Sequence, residues 1–325
     1  MRAEAADADR DAGRRRAWIG HIAAAVVVLG IGMGMYFASR QVHYDWRWER
    51  VPEYLVSTDG REIVAPFDGT VVLAPDSRSL LLTPLLGGEP LRVEGFDRVE
   101  IADGDIVFEG NTLGREHGWS PGPLAVGLWM TLKISLVSLA FALVLGLAAG
   151  LARVSNSVAA RDLAALYVEV IRGTPLLVQI FIMYFFIGTV LSLSAFAAGV
   201  AALAVFTGAY VAEIVRGGIE AIPRGQSEAA RSLGMSAWQA MRHVVLPQAL
   251  RNTSPSLAGQ FINLIKDSSL VSIMALTDLT KAGREVVSST FSPFEVWFCV
   301  ALLYLVLTGA LSWAVRRMER RLAHD

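Results

Sequence analysis

Long apolar runs separated by short polar stretches dominate the chain. They lie at Trp18 to Ala38, Leu124 to Ala152, within Leu163 to Leu193, Ala195 to Arg216, Ser256 to Thr280 and Glu295 to Val315. Each supplies about the 20 residues that a helix needs to cross the hydrocarbon core of a bilayer. The pattern predicts an all-α polytopic membrane protein with about six transmembrane helices. One segment breaks it. Between Gln41 and Gly122, short β-rich stretches alternate with Gly-containing turns. Glu62 to Phe67 and Thr70 to Leu73 around Asp68-Gly69 read as a hairpin with a type I′ turn, and Val99 to Ala102 and Asp105 to Phe108 around Asp103-Gly104 as a second. Leu80 to Thr83 and a Gly87-Gly88 turn fall between them. The expectation is a small β-rich extracytoplasmic insert between the first two helices.

Composition agrees with a membrane class: 54% of the 325 residues are hydrophobic and the mean hydropathy is +0.46. The net charge of -1 hides an asymmetry, because Gln41 to Gly122 holds 15 acidic against 7 basic residues. The remainder is net basic, with arginines clustered at Arg14 to Arg16, Arg153 and Arg161, and Arg316-Arg317 with Arg320-Arg321. With six crossings all of these clusters fall on one side, which the positive-inside rule makes cytoplasmic, together with both termini. The insert is then outside. The basic start followed by an apolar run has the form of a signal peptide, but its length and the lack of a clean small-x-small cleavage site favour a retained helix. The resulting division is a cytoplasmic tail at 1–16, read as disordered, a first transmembrane helix at 17–39, and the periplasmic insert at 40–122. A transmembrane domain follows at 123–317 and a cytoplasmic tail at 318–325. The single cysteine, Cys299, lies in an apolar run and excludes an intramolecular disulfide.

Four places carry polar or helix-breaking residues at membrane depth or beside it. Gly173 and Pro175 break or kink a helix, and broken helices are where transporters expose backbone to a cavity. Glu213 and Arg216 are three apart and can pair on one helix face. Lys266, Asp267 and Ser268 sit inside an apolar run, which is expensive unless they meet a polar interior. Gly146 and Gly150 form a small-xxx-small pair suited to close helix packing. The longest polar interruption, Ser227 to Pro247, predicts two short helices around a glycine corner. Ser227 would cap the first, with Glu228 near its N-terminus and Ala229-Ala230 giving a smooth face. Gly234 would end it in the left-handed region, and Ser236 with Gln239 would form a capping box.

Glu228-Ala229-Ala230, then Gly234, then Leu246-Pro247 resembles the EAA loop of bacterial ABC importer permeases, with Val244 where Ile is usual. Glu169 to Gln179 resembles the segment opening the permease core in the polar amino-acid branch (histidine, glutamine, arginine, opines), and Lys266 to Leu270 resembles a phrase that lines or braces the pathway there. The resemblance covers roughly Leu124 to the C-terminus and implies a type I importer core, with the EAA loop, at 218–250, docking into a cleft of a separate ATP-binding subunit. It implies Glu228, Ala229, Ala230, Gly234, Leu246 and Pro247 for coupling, and Glu213, Arg216, Lys266, Asp267 and Ser268 for the pathway. The implied partners are two ATP-binding subunits, a second permease subunit (the same chain or a paralogue), a periplasmic substrate-binding protein and an amino-acid substrate. Nucleic acid is not among them. The implied location is the bacterial inner membrane.

No G-x-x-x-x-G-K-[ST] is present and no lysine follows a glycine, so the chain has no P-loop. The five histidines are scattered without metal spacing. The expectation is a non-enzyme that binds no cofactor or metal itself, with ATP and magnesium on the partner. Val64 to Val71 resembles half of a lipoyl-type sandwich, but the insert contains no lysine to carry such a group. The competing readings are a membrane-anchored sensor that binds ligand through the insert, and a secondary transporter, against which the docking loop argues.

Overall fold

The structure is a computed structural model that describes residues 2–41, 44–57, 61–74, 79–85, 87–96, 98–116 and 118–322. It forms two units, Met1–Trp48 and Glu49–Asp325. The first is one helix, α1 (Arg2–Gln41), so the alanine-rich polar start is helical where a disordered tail was expected. Ala, Arg and Glu are strong helix formers, and they carry the helix back from the apolar part. At its far end the Trp46 indole donates to Ser39 Oγ at 3.2 Å and stacks on Trp48.

The second unit opens with a short helix, α2 (Val51–Leu55), and nine strands. They are β1 (Val56–Ser57), β2 (Arg61–Val64), β3 (Gly69–Leu73), β4 (Ser79–Pro84), β5 (Leu91–Glu94), β6 (Arg98–Val99), β7 (Ile106–Val107), β8 (Thr112–Glu116) and β9 (Ser120–Pro121). Two antiparallel sheets, β5-β4-β3-β7 and β2-β8-β6, enclose Val71, Leu80, Leu82, Phe96, Val107 and Leu113. Neither expected hairpin forms. β2 pairs with β8, while β3 pairs with β4 and β7. Gly69 is a strand residue whose added Cβ would lie 2.7 Å from the Thr83 carbonyl oxygen, so the glycine serves a close cross-strand approach and not a turn. Asp103-Gly104 does turn the chain, with Gly104 at φ +86°. The arms then part, β6 joining β8 and β7 joining β3. The Gly87-Gly88 turn separates two strands that do pair, β4 and β5.

The helical part contains α3 (Pro123–Arg153), α4 (Val158–Gly173), α5 (Leu176–Phe181, continued as a π-helix through Gly188) and α6 (Ala195–Glu220). Then come α7 (Arg224–Ser232), α8 (Ala237–Ala240), α9 (Leu246–Asp267), α10 (Leu279–Thr290) and α11 (Pro293–Leu322). Residues 318–322 thus continue a helix, and 323–325 lie outside the described residues. α3 and α6 make the central pair. A Cβ on Gly146 would sit 2.5 Å from Val211 Cβ, and one on Gly150 2.8 Å from Val215 Cβ, so only glycine permits this backbone approach.

Among the described residues four helices are long and apolar enough to cross a membrane, or five if α4 and the α5 segment count as one bent span. The six-span count is not reached on this criterion, because the apolar run from Ser256 to Thr280 is not one helix. α9 ends at Asp267, a 3-10 stretch covers Ser268–Ile273, and α10 begins at Leu279. Asp278 caps α10, its carboxylate accepting from the Thr280 and Lys281 amides at 3.1 and 3.0 Å.

Candidate functional site

Gly173-Thr174-Pro175 separates α4 from α5, and the two axes differ by 107°. Pro175 cannot donate to the preceding turn, and its ring keeps Thr174 extended, at ψ 146°. Carbonyls at the break are taken by Gln179, whose amide donates to Ile171 O at 2.7 Å and Thr174 O at 3.2 Å, and also to the Thr174 hydroxyl at 2.8 Å. The break is thus a hydrogen-bonded elbow.

Glu213 and Arg216 are brought together on α6, Arg216 Nε donating to Glu213 Oε1 at 3.1 Å. Two further cations converge that were not joined to the pair in the sequence: Arg153 at the end of α3, 3.8 Å from Glu213 Oε2, and Arg172 at the elbow, 4.0 Å away. Arg216 also pairs with Glu220, and the Arg172 guanidinium lies over the Tyr210 ring at 5.3 Å. One carboxylate therefore faces arginines from three helices. Lys266, Asp267 and Ser268 form a separate group. Leu264 and Ile265 before them are fully buried, and Leu264 packs with Ile134 and Leu203. The neighbours of Glu213 (Val211 and Val215) pack in a different cluster with Val245 and Ala249. Lys266 is exposed, and Ser268 is buried and donates to Ile265 O at 2.7 Å.

The polar segment between α6 and α9 is built by caps. Helix α7 starts earlier than expected, after Pro223, so Ser227 is interior and does not cap it. Its end is a Schellman motif: Gly234, at φ +88°, donates to Arg231 O at 3.0 Å and Met235 donates to Ala230 O at 3.2 Å. Ser236 and Gln239 form the capping box of α8, at 3.3 and 2.8 Å. From there the backbone runs without a break through a π-helical stretch, Met241–Val245, into α9, with Leu246 and Pro247 in its first turn. The two alanines differ. Ala230 is buried at 4% exposure, while Ala229 and Glu228 are exposed. The corner projects Leu233, 83% exposed, and Trp238, 63% exposed. The sequence reading passed over both, although large apolar residues on either side of the glycine corner were the available signal. No group of three or more His, Cys, Asp or Glu side chains able to hold a metal ion is found among the described residues.

Residues 142–324 match the family described as binding-protein-dependent transport system inner membrane component. The chain is 42% identical over 208 residues to the glutamine transport system permease protein of Escherichia coli (strain K12), covering 63% of this chain and 95% of that protein. It is 43% identical over 197 residues to the probable glutamine ABC transporter permease protein of Bacillus subtilis (strain 168), 60% of this chain and 91% of that one. Among solved structures, a crystal structure of an amino acid ABC transporter with histidines superposes with a TM-score of 0.57 at 41% identity, covering 61% of this chain and 94% of that chain. An inward-facing methionine ABC transporter shares the fold at a TM-score of 0.56 and 24% identity, over 62% of this chain and 96% of that one.

Proposed function

The chain belongs to the family of binding-protein-dependent transport system inner membrane components, and from that premise we propose how it does its work. It is a permease subunit of an ABC importer for amino acids, an integral protein of the inner membrane. The substrate class we favour is polar amino acids, since its relatives at 42 and 43% identity are named for glutamine.

The coupling surface is the loop from Glu228 to Pro247. It docks by inserting Leu233 and Trp238, with exposed Ala229 offering a flat approach and Glu228 a charge at the rim. Gly234 sets the corner, and Leu246-Pro247 carry the motion into α9. Two such permeases, the same chain or a paralogue, pair in the membrane over two ATP-binding subunits, which hold the ATP and magnesium. A substrate-binding protein delivers from outside. Six crossings, with α9 as the fifth and both termini cytoplasmic, put the β domain on the binding-protein side. Lys266 and Asp267 then face the polar lumen that makes their charges tolerable, buried Ser268 braces the helix end behind them, and Glu213 with Arg216 braces the inner end of the pathway.

The observation that carries the coupling reading is the exposed apolar pair on a rigid, doubly capped corner, since a solvated linker gains nothing from showing Leu233 and Trp238 to water. The test is co-purification from membranes with a co-expressed ATP-binding subunit. Ala229→Trp and Trp238→Ala touch no buried core and are expected to weaken the complex, whereas Glu228→Ala keeps it but uncouples ATP hydrolysis from the binding protein. Wild-type retention of the ATPase by all three variants, with unchanged stimulation, would sink the reading.

A further inference from the structure

An open cavity of about 960 Å³, lined by charged, hydroxyl and aromatic side chains, lies along α10. That is at the upper end of small-molecule sites, which run from about 300 to 1,000 Å³. One face of α10 is spent on packing. Leu279, Ala282, Gly283 and Val286 are buried, and the Leu279 amide donates to Thr131 Oγ1 of α3 at 3.1 Å. The other face, at i, i+3, i+4 and i+7, carries Lys281, Arg284, Glu285 and Ser288, and all four line the cavity. Tyr184 and Phe185, from the π-helical end of the α5 segment, form an opposing wall.

The charges do not cancel inside this cavity. Lys281 Nζ stands 3.7 Å from Glu285, a loose i,i+4 pair. The Arg284 guanidinium donates to a neutral partner, the Ser272 carbonyl at 2.9 Å, and among the described residues it has no carboxylate within 4.0 Å. That hydrogen bond fixes the guanidinium at the cavity wall. Ser288 and Ser289 donate to their own helix, to Arg284 O and Val286 O, so their oxygens keep lone pairs as acceptors. Two cations, one carboxylate, hydroxyl acceptors and aromatic walls are the complement of a small zwitterion.

The position is equally specific. Tyr54 of α2, which leads into the β domain, packs with Leu124, Leu279, Ala282 and Val286. The cavity therefore opens at the end of the helical unit that carries the β domain. We propose that it is a receiving site for an α-amino acid: Lys281 and Arg284 take the α-carboxylate and Glu285 the α-ammonium, before the substrate moves on along the pathway. This rests on the importer reading, which makes that end the side of arrival.

The test is transport by the assembled importer in proteoliposomes at saturating binding protein, comparing a labelled amino acid with its α-amide, in which the carboxylate is neutral. Lys281→Met leaves the partly buried stem in place and is expected to slow uptake about tenfold, the effect of one charge-assisted contact. It should also shrink the preference for acid over amide by a similar factor, which a merely structural defect would not do. Arg284→Lys keeps the charge and should retain most of that preference, whereas Arg284→Gln should lose it. Unchanged rate and unchanged preference in Lys281→Met and Arg284→Gln, beside an active wild type, would overturn the receiving site alone. So would a changed dependence on binding-protein concentration, read in a parallel titration below saturation, with the preference intact, which would make this face a docking surface. A wild type that takes up no amino acid would remove the importer reading and the site with it.

Discussion

Glu213→Gln tests whether one carboxylate holds the adjoining ends of three helices together. The attraction between unit charges 4 Å apart is about 4 kcal/mol at an effective dielectric of 20, before desolvation is subtracted. Glu213 has three such partners, at side-chain exposures of 19% for Arg153, 26% for Arg216 and 43% for Arg172. Removing one partner of a fully buried pair costs about 3–5 kcal/mol. With the partners this accessible, a loss of about 2–3 kcal/mol is expected, and the Arg172 contact should supply least of it. Gln preserves size and one acceptor, so the change isolates charge. The built-in control is Glu220→Gln. It pairs with the same Arg216 but is 54% exposed at i,i+4, so its removal should cost no more than about 0.5 kcal/mol. The assay is unfolding of the detergent-solubilised protein by a chemical denaturant, run as double-mutant cycles of Glu213→Gln with Arg153→Gln and with Arg216→Gln. Coupling above about 1 kcal/mol with Arg216 supports the argument. A Glu213→Gln variant as stable as Glu220→Gln would refute it, since burial would then not be what separates the two carboxylates.

Two further outcomes follow from the same geometry. Gly150→Val would drive its side chain into Val215 and the Ala212 carbonyl, 2.8 and 2.9 Å from the position of a Cβ, and should separate α3 from α6. A stability loss of at least about 3 kcal/mol or failure to accumulate in the membrane is expected, whereas the same change at Gly217, with open space around it, should be tolerated. Leu82→Ala in the β domain, at 0% exposure, should cost about 2–5 kcal/mol, read as earlier loss of the β signal in circular dichroism, with Leu81→Ala on the open face as the mild control.

Much of this molecule was legible along the chain because a bilayer imposes a one-dimensional rule. Apolar length announced α3, α6 and α11, and local caps announced the corner at Gly234 and the box at Ser236, since each depends on residues within a few positions. The Gly173-Pro175 break was equally local. The tertiary structure alone decided what depends on partners far apart in sequence. Strand pairing is one case: Asp68-Gly69 reads as a turn, but Gly69 is needed where β3 passes Thr83 of β4. The extent of the fifth apolar run is another: the cap at Asp278 is local, but the Leu279 amide beside it is taken by Thr131 of α3, 148 positions away. Charge is the clearest. Glu213 and Arg216 announce each other at a spacing of three, but Arg153 and Arg172 join them only when α3 and the elbow are folded against α6. In the same way nothing along the chain links Lys281 and Arg284 to Tyr184 and Phe185, which the fold brings to the same open cavity. A short-range rule fixes an element and its ends. Which faces meet is settled by packing energy summed over the whole fold, and no window of the sequence contains that sum.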